Sequence, residues 1–135
     1  MESTVLTIAT GARSATVDLT PEVAEFCVDK EDGLVSIFVP HATAGVAIFE
    51  TGAGSDADVL NAIDNLLPGD PSRWRHEHGT PGHGRDHVLP AFISPSITVP
   101  VQSGRLLLGV WQSIILVDTN VDNPTRTVRI SFIPA

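Results

Sequence analysis

The sequence predicts an α+β fold with a mixed, largely antiparallel β-sheet, a sandwich-like core and two main helices. Three observations predict it. GLVSIFVPH, residues 33–41, is a β-branched and aromatic run stopped by Pro40. The last third, through SITVPV, RLLLGVWQSIILVDT and RTVRISFI, has strand composition broken only by turn residues. Two amphipathic segments, after Thr20 and after Ser55, fall between strand pairs.

TVLTIA (4–9) and SATVDL (14–19) have strand composition, and Gly11 and Ala12 between them suggest a hairpin. Thr20 before Pro21 and Glu22 reads as a helix start, with Thr20 as cap and Pro21 in the first turn. Val23, Ala24, Phe26 and Cys27 share one face of that helix, and Gly33 ends the element. After GLVSIFVPH, ATAG makes a bend and VAIFE (46–50) is the next strand. SDADVLNAIDNLLP carries the second helix. Ser55 caps it, Asp56 and Asp58 suit its positive end, and Val59, Leu60, Ile63, Leu66 and Leu67 form its apolar stripe. Residues 69–86 hold four glycines and two prolines and read as a long loop, a feature that in a small domain usually carries function. VLPAFIS fits a helical turn or a strand. The final strands follow, with turns at Gln102–Gly104 and Asp122–Pro124.

At 135 residues the chain is expected to be one domain, spanning 1–135, large enough for its own hydrophobic core. Hydrophobic residues make up 42% and charged residues 18%, a globular balance. Sixteen Asp and Glu against eight Lys and Arg give a net charge of −8. Nucleic acid and anionic membrane are poor partners for such a surface. Cys27 is the sole cysteine, so no intrachain disulfide forms, and its apolar neighbours suggest a buried, inert thiol. The opening MESTVLTIATG has neither a charged start nor a long apolar run, and no segment reaches the length of a membrane span. A cytoplasmic location is the expectation.

RWRHEHGTPGHGRDH, residues 73–87, holds four of the five histidines. The fifth, His41, is fixed behind Pro40. A divalent metal asks for three or four ligands that converge from separate parts of a chain. His41, His76, His78 and His87 are the candidate ligands, with His83 as a further possibility. Glu50, Glu77 and Asp86 are candidate ligands or acceptors for the second imidazole nitrogen. His76 and His78 share a side if their segment is extended. Against this, histidines in a Gly/Pro loop are often merely solvated, and the spacing matches no standard zinc motif. SGRLLLGVWQS is a second constellation. Arg105 can grip a phosphate or carboxylate, and Trp111 and Gln112, adjacent on a strand, would face opposite sides. Thr43 can hydrogen-bond a substrate or simply hold its bend. The apolar run RLLLGVWQSIILV exceeds what one half-exposed strand needs, which suggests burial on both faces or a subunit contact. There is no G-x-S-x-G elbow and no phosphate-binding P-loop.

Three segments resemble the YjbQ family, small proteins with a secondary thiamine-phosphate synthase activity. FVPHATAGVAIFE resembles its histidine-hydroxyl segment, with Ala42 and Thr43 where two hydroxyl residues are commoner. HEHGTPGHGRDHV resembles its histidine-bearing loop, with His87 at the matching position. SPSITVPVQSGRLLLGVWQSIILVD resembles its signature, with Val110 in place of the usual threonine. The resemblance implies the α+β fold, a compact homotrimer, and a pocket where His41, His87 and acidic groups such as Asp86 or Glu50 meet. It implies that this pocket is a metal or anion site. A divalent metal, zinc or another, and a small phosphorylated metabolite are the expected partners, with Thr43, Arg105, Trp111 and Gln112 as the candidate substrate contacts. The implied reaction joins a hydroxymethylpyrimidine pyrophosphate to a thiazole phosphate and releases pyrophosphate. The competing expectation is a non-catalytic trimeric protein that binds a metal or a phosphometabolite.

Overall fold

A computed structural model describes residues 1–135. In chain order the elements are β1 (Glu2–Ala9), β2 (Ala15–Asp18), α1 (Thr20–Cys27), β3 (Gly33–Phe38), β4 (Ala44–Phe49), α2 (Ser55–Leu66), α3 (Gly84–Val88), β5 (Ser96–Gln102), β6 (Arg105–Leu106), β7 (Ser113–Asp118) and β8 (Thr125–Pro134). Short 3-10 turns cover Pro71–Arg73 and Leu89–Ala91. The strands form a five-stranded sheet, β1-β8-β3-β5-β6, and a three-stranded sheet, β2-β7-β4. Every pairing is antiparallel.

The period-2 alternation of β8 sends Val128, Ile130 and Phe132 to one face, where they meet the inward residues of β3 and β1. The smaller sheet closes the other side of this core with Val46, Ile114 and Leu116. β7 is buried on both faces. Ile114 and Leu116 point into the inter-sheet core, while Ile115 and Val117 join Ile63, Leu67 and Leu89 beneath the helical layer. A central strand thus accounts for the second half of the apolar run, Ile114–Val117, whereas Leu107, Val110 and Trp111 in its first half are exposed. The outer face of the larger sheet is open, and Val5, Leu34, Phe38 and Ile133 remain partly exposed there. No helix is long and apolar enough to cross a membrane.

Several local expectations change. Residues 4–9 and 14–19 do not form a hairpin: β1 pairs with β8 and β2 with β7, in different sheets. RLLLGVWQSIILVDT is not one strand. A tight Gln102–Gly104 hairpin is followed by only two residues of β6, and the chain then leaves the sheet until Ser113. Trp111 and Gln112 therefore lie in a turn, both exposed, rather than on opposite faces of a strand. Cys27 is fully buried, and burial raises its thiol pKa.

Thr20 begins α1 with Pro21 in the first turn, but its hydroxyl does not cap the helix. Instead Thr20 Oγ1 accepts the backbone N–H of Ile114 at 2.8 Å, tying α1 to β7. Thr20→Val is expected to cost about 1–3 kcal/mol, because it strands a buried donor. Thr20→Ser keeps the acceptor and should be close to neutral in the same urea denaturation series.

Candidate metal centre

The histidine loop is shaped by its anchors. α2 ends against the second apolar cluster through Ile63 and Leu67. Asp70 caps the Pro71–Arg73 turn, accepting from Ser72 N at 2.9 Å. Trp74 then packs on the same cluster and donates from Nε1 to Pro68 O at 2.9 Å. These contacts fix the backbone just before His76. Gly82, at φ +85°, turns the chain back so closely that an added Cβ would lie 2.0 Å from Gly69 O. The return leads into α3, where fully buried Leu89 anchors Asp86 and His87. Glycine permissiveness and two apolar anchors thus convert a long loop into a fixed cradle.

Four imidazoles meet in this cradle. Ring centroids of His76 and His78 are 3.9 Å apart, and those of His76 and His87 are 4.1 Å apart. His83 lies 4.8 Å from His76 and 4.9 Å from His87. One ring nitrogen from each of His76, His83 and His87 falls within 4.8 Å of the others. His76 and His87 titrate below the usual imidazole range. Burial is the first cause for each, and repulsion from the neighbouring histidines adds to it. Low imidazole pKa values favour the neutral ring, the form that ligates a metal.

His76 Nδ1 and both ring nitrogens of His83 are buried without a hydrogen-bond partner. His83 Nδ1 has Asp122 Oδ2 at 3.3 Å and Asp86 Oδ2 at 4.0 Å, ion-pair distances without hydrogen-bond alignment. Unsatisfied buried nitrogen is costly, at about 1–3 kcal/mol per group. A cation held by one nitrogen each of His76, His83 and His87 would offset part of that cost, so the donor set fits a metal. Asp86 is buried and accepts from Thr119 Oγ1 at 2.5 Å. Its pKa is raised, chiefly by burial, against the lowering effect of Thr119 and Arg85. Beside the cluster opens a cavity of about 230 Å³, lined by Thr80, Gly82, His83, Arg85, Asp86 and Thr119 among others.

His41 does not join the cluster, which corrects the expected His41–His87 centre. Its Nε2 accepts the backbone N–H of Thr127 at 3.0 Å and lies 3.2 Å from Thr127 Oγ1. A backbone donor at Nε2 places the proton of the neutral ring on Nδ1. Burial lowers the His41 pKa, and the Arg126 charge lowers it further. His83, which spacing left as a mere possibility, takes the ligand position assigned to His41. His78 lies against His76 but outside the converging set.

The other expected residues are dispersed within the chain. Thr43 is buried, and its hydroxyl accepts from Arg126 Nη2 at 2.7 Å, an internal role. Glu50 follows β4, half-buried, with no ion pair or side-chain hydrogen bond. Arg105 is exposed on β6 and lines a separate groove with Gln102 and Leu106–Leu108. Trp111 is 72% exposed, and Gln112 Oε1 accepts from Gly109 N at 2.7 Å. Asp122 was legible only as a turn residue. An Asp-Asn-Pro turn gives no sign that its carboxylate reaches a histidine far back in the chain.

The family model for UPF0047 YjbQ-like proteins matches residues 4–135. The chain belongs to the YjbQ/UPF0047 family. UPF0047 protein Rv2556c of Mycobacterium tuberculosis is 59% identical over 133 residues, covering 98% of each chain. UPF0047 protein YugU of Bacillus subtilis is 35% identical and covers 94% of this chain and 96% of its own. Among solved structures, the hypothetical protein APE1520 of Aeropyrum pernix K1 superposes with a TM-score of 0.88 at 32% identity over 100% of both chains. A YbjQ-like protein of unknown function, SSO2532 of Sulfolobus solfataricus P2, gives 0.89 at 26% identity, over 99% of this chain and 97% of that one. Family and α+β fold are therefore shared along the whole YjbQ-like chain.

Proposed function

We propose that this YjbQ-family chain is a metal-dependent transferase of the thiamine-phosphate synthase type, acting on a small phosphorylated metabolite. The observation that carries the metal is the convergence of His76, His83 and His87, together with buried ring nitrogens of His76 and His83 that lack protein partners. Imidazole donors suit zinc, nickel, cobalt or copper better than magnesium or calcium. When bound, the ion would supply Lewis-acid stabilisation of negative charge on a departing phosphate. His78 stands beside the three as a further donor. The adjoining cavity of about 230 Å³ is smaller than sites of roughly 300–1,000 Å³ that enclose a drug-sized ligand. It fits one end of a substrate, such as a phosphoryl group, with Arg85 and Thr80 in its wall. The proposed reaction breaks a carbon–oxygen bond to pyrophosphate and forms a carbon–nitrogen bond to the thiazole.

The dispersal of His41, Glu50, Arg105 and Trp111 favours a second reading, a metal-binding protein without turnover. Self-association would reconcile that dispersal with the catalytic reading, since a neighbouring copy can bring such residues to the cluster. The open sheet face with Val5, Leu34, Phe38 and Ile133, together with Val110 and Trp111, is apolar surface suited to the proposed homotrimer.

Untagged protein should carry zinc, nickel, cobalt or copper by elemental analysis, scatter light as a trimer, and complement a thiamine auxotroph. His87→Ala should lose both metal and complementation. Stoichiometric metal without turnover would leave the binding reading; protein that neither carries nor takes up metal would end both metal readings.

A further inference from the structure

We propose that Asp122 is the positioning carboxylate of this centre: it holds the proton of His83 on Nδ1 and leaves Nε2 as the ligating atom. The inference rests on the metal reading above and adds to it a residue and a ligand atom.

Three features place Asp122 there. Its Oδ2 lies 3.3 Å from His83 Nδ1, an ion-pair distance and nearer than the 4.0 Å of Asp86 Oδ2. The carboxylate is fixed from both sides. Oδ2 accepts Thr80 N at 3.2 Å, and Oδ1 accepts the Thr80 hydroxyl. Its backbone N–H donates to Asn120 Oδ1 at 2.6 Å, and Asn120 N donates to Asp118 Oδ1 at 2.9 Å, so its position derives from the buried end of β7. Finally, Gly79 keeps the contact open. A Cβ there would come within 2.8 Å of Asp122 Oδ2 and 3.3 Å of the His83 ring, and φ of +79° independently favours glycine.

The chemistry follows from what an imidazole can do. A neutral ring has one N–H and one lone pair, on different nitrogens. A carboxylate beside Nδ1 favours the proton there and the lone pair on Nε2. Such partners orient metal-bound histidines and raise their basicity, and losing one typically lowers metal affinity about 10–100-fold.

The probe is zinc, titrated in competition with a chromophoric chelator, with imidazole ¹⁵N shifts read on the zinc-free protein. Wild type should bind one zinc per chain, and His83 should carry its proton on Nδ1. Asp122→Asn should weaken zinc binding about 10–100-fold and shift the tautomer balance. Thr80→Val, which removes the hydroxyl contact but keeps the Thr80 N–H on Oδ2, should lose markedly less affinity than Asp122→Asn. Wild type that binds no zinc would overturn the metal reading itself. Normal zinc binding by Asp122→Asn would overturn the role of Asp122 alone. Equal losses in Asp122→Asn and Thr80→Val, with the tautomer unchanged, would reduce Asp122 to a loop tie and overturn it too. If Asp122→Asn does not fold, the wild-type spectrum still decides: a proton on His83 Nε2 sinks the proposal.

Discussion

Arg126→Ala is expected to cost about 3–5 kcal/mol of folding stability, because it strands a buried carboxylate. Arg126 is 2% exposed and Asp118 is fully buried. The guanidinium grips Asp118 with two nitrogens, Nε to Oδ2 at 2.7 Å and Nη2 to Oδ1 at 3.1 Å. Nη2 also donates to Thr43 Oγ1 at 2.7 Å. The pair bridges the layers, since Arg126 lies on β8 of the larger sheet and Asp118 on β7 of the smaller. The pair itself need not be strongly stabilising; breaking it is what costs. Lysine should rescue poorly, because a single ammonium cannot reproduce the planar fork. Urea denaturation followed by far-UV circular dichroism measures the loss, and a change below about 1 kcal/mol would put this pair in the class of weak, solvated ion pairs. The effect should also reach the metal centre. Asp118 Oδ1 holds Asn120 N, and Asn120 in turn holds Asp122.

That chain of contacts shows where the sequence was readable and where it was not. Alternation in RTVRISFI assigns its faces correctly, and Val128, Ile130 and Phe132 turn inward as the period requires. The apolar stripe of α2 is right in part: Ile63 and Leu67 are buried, but Leu66 is 57% exposed, because the helix ends there and the chain turns away. Strand partners were not legible. Periodicity says which side of β1 faces a core, yet nothing in TVLTIA names β8 instead of β2 as its neighbour. The same gap explains the site. Composition pointed to the histidine loop, but whether His41 or His83 completes it depends on where β8 places Thr127, and on the backward turn at Gly82. Asp122, from the β7–β8 turn, comes within reach of His83 only through that packing.

Zinc should raise the stability of this chain by about 2.7 kcal/mol at a free concentration one hundred times its dissociation constant, and by about 4.1 kcal/mol at one thousand times. The gain exists only if the folded state, and not the unfolded chain, assembles the site. His76, His83 and His87 lie on both arms of a folded-back loop, so an unfolded chain offers them only as loose, separate donors. His83→Ala should remove most of the gain, and excess chelator should abolish it in wild type. Acid should do the same through the ligands. The folded-state pKa values of His76 and His87 lie below the ordinary value of 6.5. Between those values and 6.5 the unfolded chain binds more protons than the folded one. Even without metal, the contribution of these two histidines to stability is therefore greatest above pH 6.5 and falls as the pH drops through the window beneath it. Metal steepens the fall, because protons and zinc compete for the same lone pairs. Chemical denaturation with and without zinc, from pH 8 to pH 5, should give two curves that converge at the acid end. Parallel curves, or a zinc effect retained in His83→Ala, would mean that the ion binds elsewhere.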